Sequence, residues 1–197
     1  MNAPAARARF RTQRYQALLL AGWLVLLLAA GTAALPLLER RSGAMVVGGI
    51  LLAAGVAELM AGTLRNAARI PSMAAGAVTI MAGVLFVLRP ETSLLPSAYV
   101  IAAWLLARAI AVGIAGLRAR GGPRRWSLIS AATDLLLGML LLLGLSIATL
   151  VVTLFGPTPD VIASFAWFLS LSLLTTGFYL LEVGNCEREA ATVPPEP

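Results

Sequence analysis

Residues 17–38 read ALLLAGWLVLLLAAGTAALPLL, 22 positions without a charge. No polar face emerges from this stretch at a spacing of 2 or 3.6 residues, so it suits no half-wet strand or helix. It is long enough to cross a hydrocarbon core of about 30 Å, where lipid leaves no wet face to be polar. A basic arm before an apolar block also describes a signal peptide, but the apolar part of a signal peptide is only about 7–15 residues long. More apolar blocks follow at once. Residues 17–38 are therefore read as a first membrane span, preceded by a basic cytoplasmic arm over residues 1–16.

The same reading extends along the chain. Further spans are expected over residues 44–64, 70–88, 94–117, 126–154 and 161–181, completing a transmembrane domain over residues 17–184. The connections are short and polar, with Pro90 as a natural stop because it lacks an amide hydrogen. The fifth block would reach ~43 Å, so it should tilt or protrude. Residues 185–197 end Val-Pro-Pro-Glu-Pro and read as a disordered cytoplasmic tail. The expected fold is all-α, an integral membrane bundle of six transmembrane helices. Across all 197 residues, 59% are hydrophobic and 12% charged, far below the roughly one quarter charged that is usual in soluble domains. Outer-membrane barrels would show alternating segments of about ten residues, and none is present.

The 15 basic residues are all arginine and bring the net charge to +6. Most sit at span ends. Arg7, Arg9, Arg11, Arg14, Arg65, Arg69, Arg118, Arg120, Arg124, Arg125 and Arg188 fall on one side; Arg40, Arg41 and Arg89 fall on the other. Basic residues stay in the cytoplasm, so both termini should lie there. The arginines also suit anionic lipid headgroups. No basic stripe with interleaved aromatics points to nucleic acid. With no His and one cysteine, Cys186, the chain has no imidazole chemistry, no internal disulfide and no cysteine metal cluster. No phosphate loop, HExxH or catalytic carboxylate pair is found, and no cofactor or enzymatic activity is expected.

Three in-out-in hairpins of one orientation are expected, because two inward-running helices end alike: Ala61-Gly62-Thr63-Leu64-Arg65 and Ala115-Gly116-Leu117-Arg118. Glycines recur every seven residues at Gly48, Gly55 and Gly62, at Gly76 and Gly83, and at Gly177 and Gly184. Each set lies on one helix face and lets a neighbouring helix approach closely, as lipid-embedded association requires. Tight packing is the first reading of these stripes; a ligand groove is the second.

Three charges interrupt the spans: Glu58, Arg108 and Asp134. A charge at mid-helix costs about 2.5–3.5 kcal/mol on insertion scales, so each should be paired or face water. Counted from the nearest arginine at the cytoplasmic end, they lie ~10, ~15 and ~13 Å deep, in one layer. Glu58 sits on the stripe of Gly55 and Gly62, and Asp134 shares its stripe with Ser127, Ser130 and Gly138. An Arg108–Asp134 or an Arg108–Glu58 pair fits this layer. Such a pair would either fix helix register or respond to protons.

These details resemble the HdeD-type acid-resistance membrane proteins, a bacterial family built from a short repeat. The resemblance runs from Ala17 to Glu187. It rests on Gly76-Ala-Val-Thr79-Ile-Met-Ala-Gly83 with Pro90 for the outward helix, on Gly55-Val-Ala-Glu58 with Leu64-Arg65 for the inward one, and on Ala103-Trp104 with Leu117-Arg118. Val112 and Leu180 stand where the second and third inward helices would repeat Glu58, and Asp134 stands in the place of Thr79. The resemblance implies a bacterial inner-membrane protein linked to survival of acid or related stress. A small transporter or channel, or an accessory subunit packing on a larger membrane complex through its glycine faces, are the other readings. A homo-oligomer is compatible with all three.

Overall fold

The computed structural model describes residues 3–35, 43–65, 68–88, 94–143 and 161–192. Among them the only regular elements are helical: α1 (Ala3–Ala34), α2 (Gly43–Thr63), α3 (Arg69–Leu88), α4 (Leu94–Arg118), α5 (Gly122–Leu142) and α6 (Val161–Thr192). All six are long and apolar enough to cross a membrane, which makes this a multi-pass membrane protein. Among the described residues, prolines fall only in the first turns of helices. Pro71 and Pro123 lie in the first turns of α3 and α5, where the missing amide hydrogen would have no partner within the helix. Gly121, at φ 67°, makes the left-handed step that turns the chain into α5.

Three expected boundaries change. The arm over residues 1–16 is helical from Ala3, and the tail expected from residue 185 stays helical to Thr192. Both extensions consist largely of Ala, Arg and Glu, which favour helix. They run side by side and are tied by Arg14 Nη2 to Glu187 Oε1 at 3.2 Å. The fifth helix ends at Leu142, so its 21 residues span roughly 31 Å and need no tilt to fit the membrane. The remainder of the expected block, residues 144–154, and the turn after it lie outside the described residues, as do Arg40, Arg41 and Arg89.

The helix pairing also differs from the expected hairpins. The tightest pairs are α2 with α3, α4 with α5, and α6 with α1, so the third unit is assembled from the two ends of the chain. The glycine stripes explain this choice. A Cβ at Gly55 would lie 2.7 Å from the Ile80 amide nitrogen, and one at Gly76 would lie 2.5 Å from that of Leu59. Gly48, Gly62 and Gly83 are equally close to the facing helix of the α2–α3 pair. In the α1–α6 pair Gly22 meets Leu181, Gly177 meets Leu26 and Gly184 meets Leu19. The α4–α5 pair is looser, with Gly116 against Ser127 and Leu128, and Gly138 against Leu106. Backbones that approach this closely gain dispersion contacts that lipid cannot replace.

Half or more of the span in α2, α4 and α6 is buried, against about a third or less in α1, α3 and α5. Helices α2, α4 and α6 thus form the centre and the others the rim. Large apolar side chains such as Leu20, Leu27, Met60, Met81 and Leu136 point outward, as a lipid-facing surface requires. The C-terminal ends of α2, α4 and α6 and the start of α1 share one end of the bundle, here called the terminal end.

Candidate functional site

Arg108 is carried to the middle of the bundle by the central helix α4 and is only 1% exposed. Its guanidinium meets both acids at once. Nη2 donates to Glu58 Oε1 of α2 at 2.7 Å, and Nη1 donates to Asp134 Oδ2 of α5. The same two nitrogens reach α6, where Nη1 donates to Ser172 Oγ at 3.2 Å and Nη2 to Thr176 Oγ1. Thr176 passes its own proton to the Ser172 carbonyl at 2.7 Å. Helix α3 joins through Thr79, whose hydroxyl donates to Glu58 Oε2 at 3.3 Å and accepts from Trp104 Nε1 at 3.3 Å. One arginine therefore holds α2, α4, α5 and α6 directly, and α3 through Glu58.

The two alternative pairs read from the sequence form together, as a triad. With all three groups ionised it carries one negative charge; one proton on either acid makes it neutral. Glu58 and Asp134 are 5% and 0% exposed, so neither charge is shared with solvent. Asp134 Oδ1 and Arg108 Nε, both buried, have no hydrogen-bond partner among the described residues. Among those residues no group of three or more His, Cys, Asp or Glu is gathered to hold a metal ion.

The three charges do not occupy matching places in the three helix pairs. Gly83 and Gly138 pack on Leu52 and Leu106 in the same way, which aligns Thr79 of α3 with Asp134 of α5. By the same alignment Val112 of α4 takes the place that Glu58 has in α2, and Ala54 of α2 the place that Arg108 has in α4. The frame repeats while its centre does not. A charged site has been built into a scaffold whose other contacts are mostly small and apolar.

A narrow cavity starts at Glu58 and Arg108, passes Val112, and leads to Arg65, Ser72 and Tyr179 near the terminal end. Arg65 is one of the span-end arginines that set the expected orientation, yet it is only 5% exposed. Its Nη1 donates to Ser72 Oγ at 2.6 Å and to Tyr179 Oη, and its guanidinium carbon lies 5.0 Å from the centre of the Tyr179 ring. Burial pushes Arg65 down from the ordinary arginine range to about 10, and the attraction of Glu187 offsets this only in part.

The seven glycines expected to pack helices all lie in the α2–α3 or α1–α6 contacts, and Gly62 also borders the cavity. Sequence reasoning misses Ser172, Thr176 and Tyr179, and it marks Thr79, Trp104 and Arg65 only as motif or span-end residues, not as neighbours of the buried charges. A usable signal was the Ser172–Thr176 spacing, which sets two hydroxyls on one face of α6 beside Gly177. Trp126 stacks on Phe178 with ring centres 5.4 Å apart.

No curated protein and no solved structure matches the chain. Residues 74–143 match a family described as a short repeat of unknown function, DUF308. The match covers a little over a third of the chain, narrower than the stretch 17–187 expected from the sequence. It contains most of α3 and all of α4 and α5, and with them Thr79, Trp104, Arg108 and Asp134. The match to this short repeat spans these three helices, and it is there that two of the three buried charges lie.

Proposed function

We propose that this chain is an HdeD-like protein of the bacterial inner membrane, with both termini in the cytoplasm, that helps the cell survive acid or related stress. In this reading it is not an enzyme; it binds a proton within the bundle. The observation that carries the proposal is the sharing of one buried guanidinium by two carboxylates. Proton concentration then sets whether the centre of the bundle is charged or neutral. A net charge at that depth is worth about 2.5–3.5 kcal/mol on insertion scales, enough to couple proton binding to helix packing. No histidine is present to do this work. The arginines at the terminal end fit a cytoplasmic face against anionic headgroups.

The test is survival of acid challenge by cells that carry Glu58→Gln or Asp134→Asn. Each variant removes the excess negative charge, and each is expected to lower survival while leaving the protein in the membrane. If both survive as the wild type does, the proton reading is abandoned.

A small transporter is the second reading, favoured by the cavity that reaches the triad from one end. Substrate flux into liposomes would bring it forward. Recovery with a stoichiometric partner after gentle extraction would instead favour an accessory subunit of a larger complex.

A further inference from the structure

The triad borders a cavity toward one end of the bundle and a solid apolar layer toward the other. Toward the terminal end it borders the cavity just described, with Glu58 and Arg108 in its wall. Toward the opposite end, the next turns of the central helices carry Leu51, Ile101, Leu105 and Leu169, none more than 1% exposed. They belong to one continuous apolar core with Leu137 and Phe168. A layer of this kind holds no water, because a buried water needs two to four polar partners. The cavity offers such partners in the Glu58 carboxylate and the hydroxyls of Ser72, Thr176 and Tyr179, with room for roughly one water.

We infer that the triad is a proton-binding site loaded only from the terminal end, through a water-bearing cavity whose mouth is closed by Arg65 held on Tyr179 and Ser72. The inference rests on the proton-binding reading proposed above and adds to it the side of entry and the gate. Glu58 is the receiving group, since it is the acid that borders the cavity. The charged and titratable groups facing it are few. Arg108 comes from α4 and Asp134 from α5, Tyr179 lines the cavity from α6, and Arg65 follows α2. From α3 only the hydroxyls of Thr79 and Ser72 face this space, and no described residue of α1 lines it. Arg65 suits a gate because it is bonded to two neutral hydroxyls, and no carboxylate among the described residues lies within ion-pair distance of it. Its cationic charge at the mouth repels a second cation while the cavity behind it holds a single carboxylate.

Silver ions, small enough to follow water, provide the test in chloride-free buffer. In the full chain with Cys186→Ser, cysteines are placed singly at Val112 and Ala115, which line the cavity, and at Leu105 in the apolar layer. Silver is added to one face of oriented membrane vesicles, and thiols left free are then counted with a dye after denaturation. Dye labelling of Val112→Cys and Ala115→Cys should be lost when silver is added at the terminal end and retained when it is added at the other. Adding Arg65→Ala should bring the same loss after a shorter exposure, and Leu105→Cys should stay labelled throughout. Equal loss from both faces, loss only from the opposite face, or no loss at either position even with Arg65→Ala would overturn the one-sided route. An unchanged rate in Arg65→Ala would overturn the gate. None of these results depends on acid survival, so failure of the route and failure of the proton-binding reading are told apart.

Discussion

Replacing Arg108 by methionine should be far more damaging than neutralising either acid. Methionine fills much of the same volume but leaves two carboxylates buried at 5% and 0% exposure with no cation between them. Breaking a buried ion pair by removing one partner costs about 3–5 kcal/mol. The hydrogen bonds that Arg108 donates to Ser172 and Thr176 are lost as well. Glu58→Gln and Asp134→Asn behave differently. Each leaves a neutral one-to-one pair, and the new amide oxygen still accepts from the guanidinium, so each should cost about 1 kcal/mol or less. The double variant Glu58→Gln with Asp134→Asn strands the arginine and returns the cost to about 3–5 kcal/mol, well above the sum of the single changes. Equilibrium unfolding in mixed detergent micelles, followed by tryptophan fluorescence, measures all four. If either single neutralisation costs as much as Arg108→Met, or if the two add, the triad does not carry an excess negative charge and the reasoning fails.

Two further expectations concern the scaffold. Gly76→Ala would set a Cβ 2.5 Å from the Leu59 amide nitrogen and force α2 from α3, at about 1–3 kcal/mol, whereas Gly49→Ala meets nothing within 4 Å and should gain up to about 1 kcal/mol of helix propensity. Thermal midpoints in detergent rank the pair, and the reverse order would contradict the α2–α3 register. Ala68 holds φ 57° just before α3, a left-handed conformation that costs about 1–2 kcal/mol without glycine, so Ala68→Gly should raise the same midpoint; a lowered midpoint would contradict that backbone.

The six spans are legible because lipid demands uninterrupted apolar blocks, and residues 17–38 alone suffice to announce the environment. The outer limits of α1 and α6 are not, because the polar extensions are held by each other across the whole chain, as in Arg14–Glu187. Local propensity permits a helix there without requiring one. The glycine stripes are legible as packing faces, but a stripe does not say which neighbour it meets. Gly177 could face the preceding helix as easily as α1, and only the three-dimensional register brings it to Leu26. Charges betray their depth because burying them is expensive, so Glu58, Arg108 and Asp134 could be placed in one layer. Hydroxyls do not betray theirs. Thr79 and Thr176 can satisfy themselves on the carbonyls of Ala75 and Ser172, at 3.0 and 2.7 Å, so a serine or threonine in a span demands no partner. Arg65 escaped for the opposite reason, since an arginine just beyond a span end is ordinarily exposed.

The most direct measurement of the central claim is a proton count on the purified bundle. Wild type, Glu58→Gln and Asp134→Asn would be titrated from alkaline to acid pH in the same detergent, and the protons taken up compared. One proton more in the wild type than in either variant is the predicted result, since each variant already holds a neutral triad. Equal uptake in all three would contradict a proton-binding centre and leave Arg108 with its two acids as a fastening between helices.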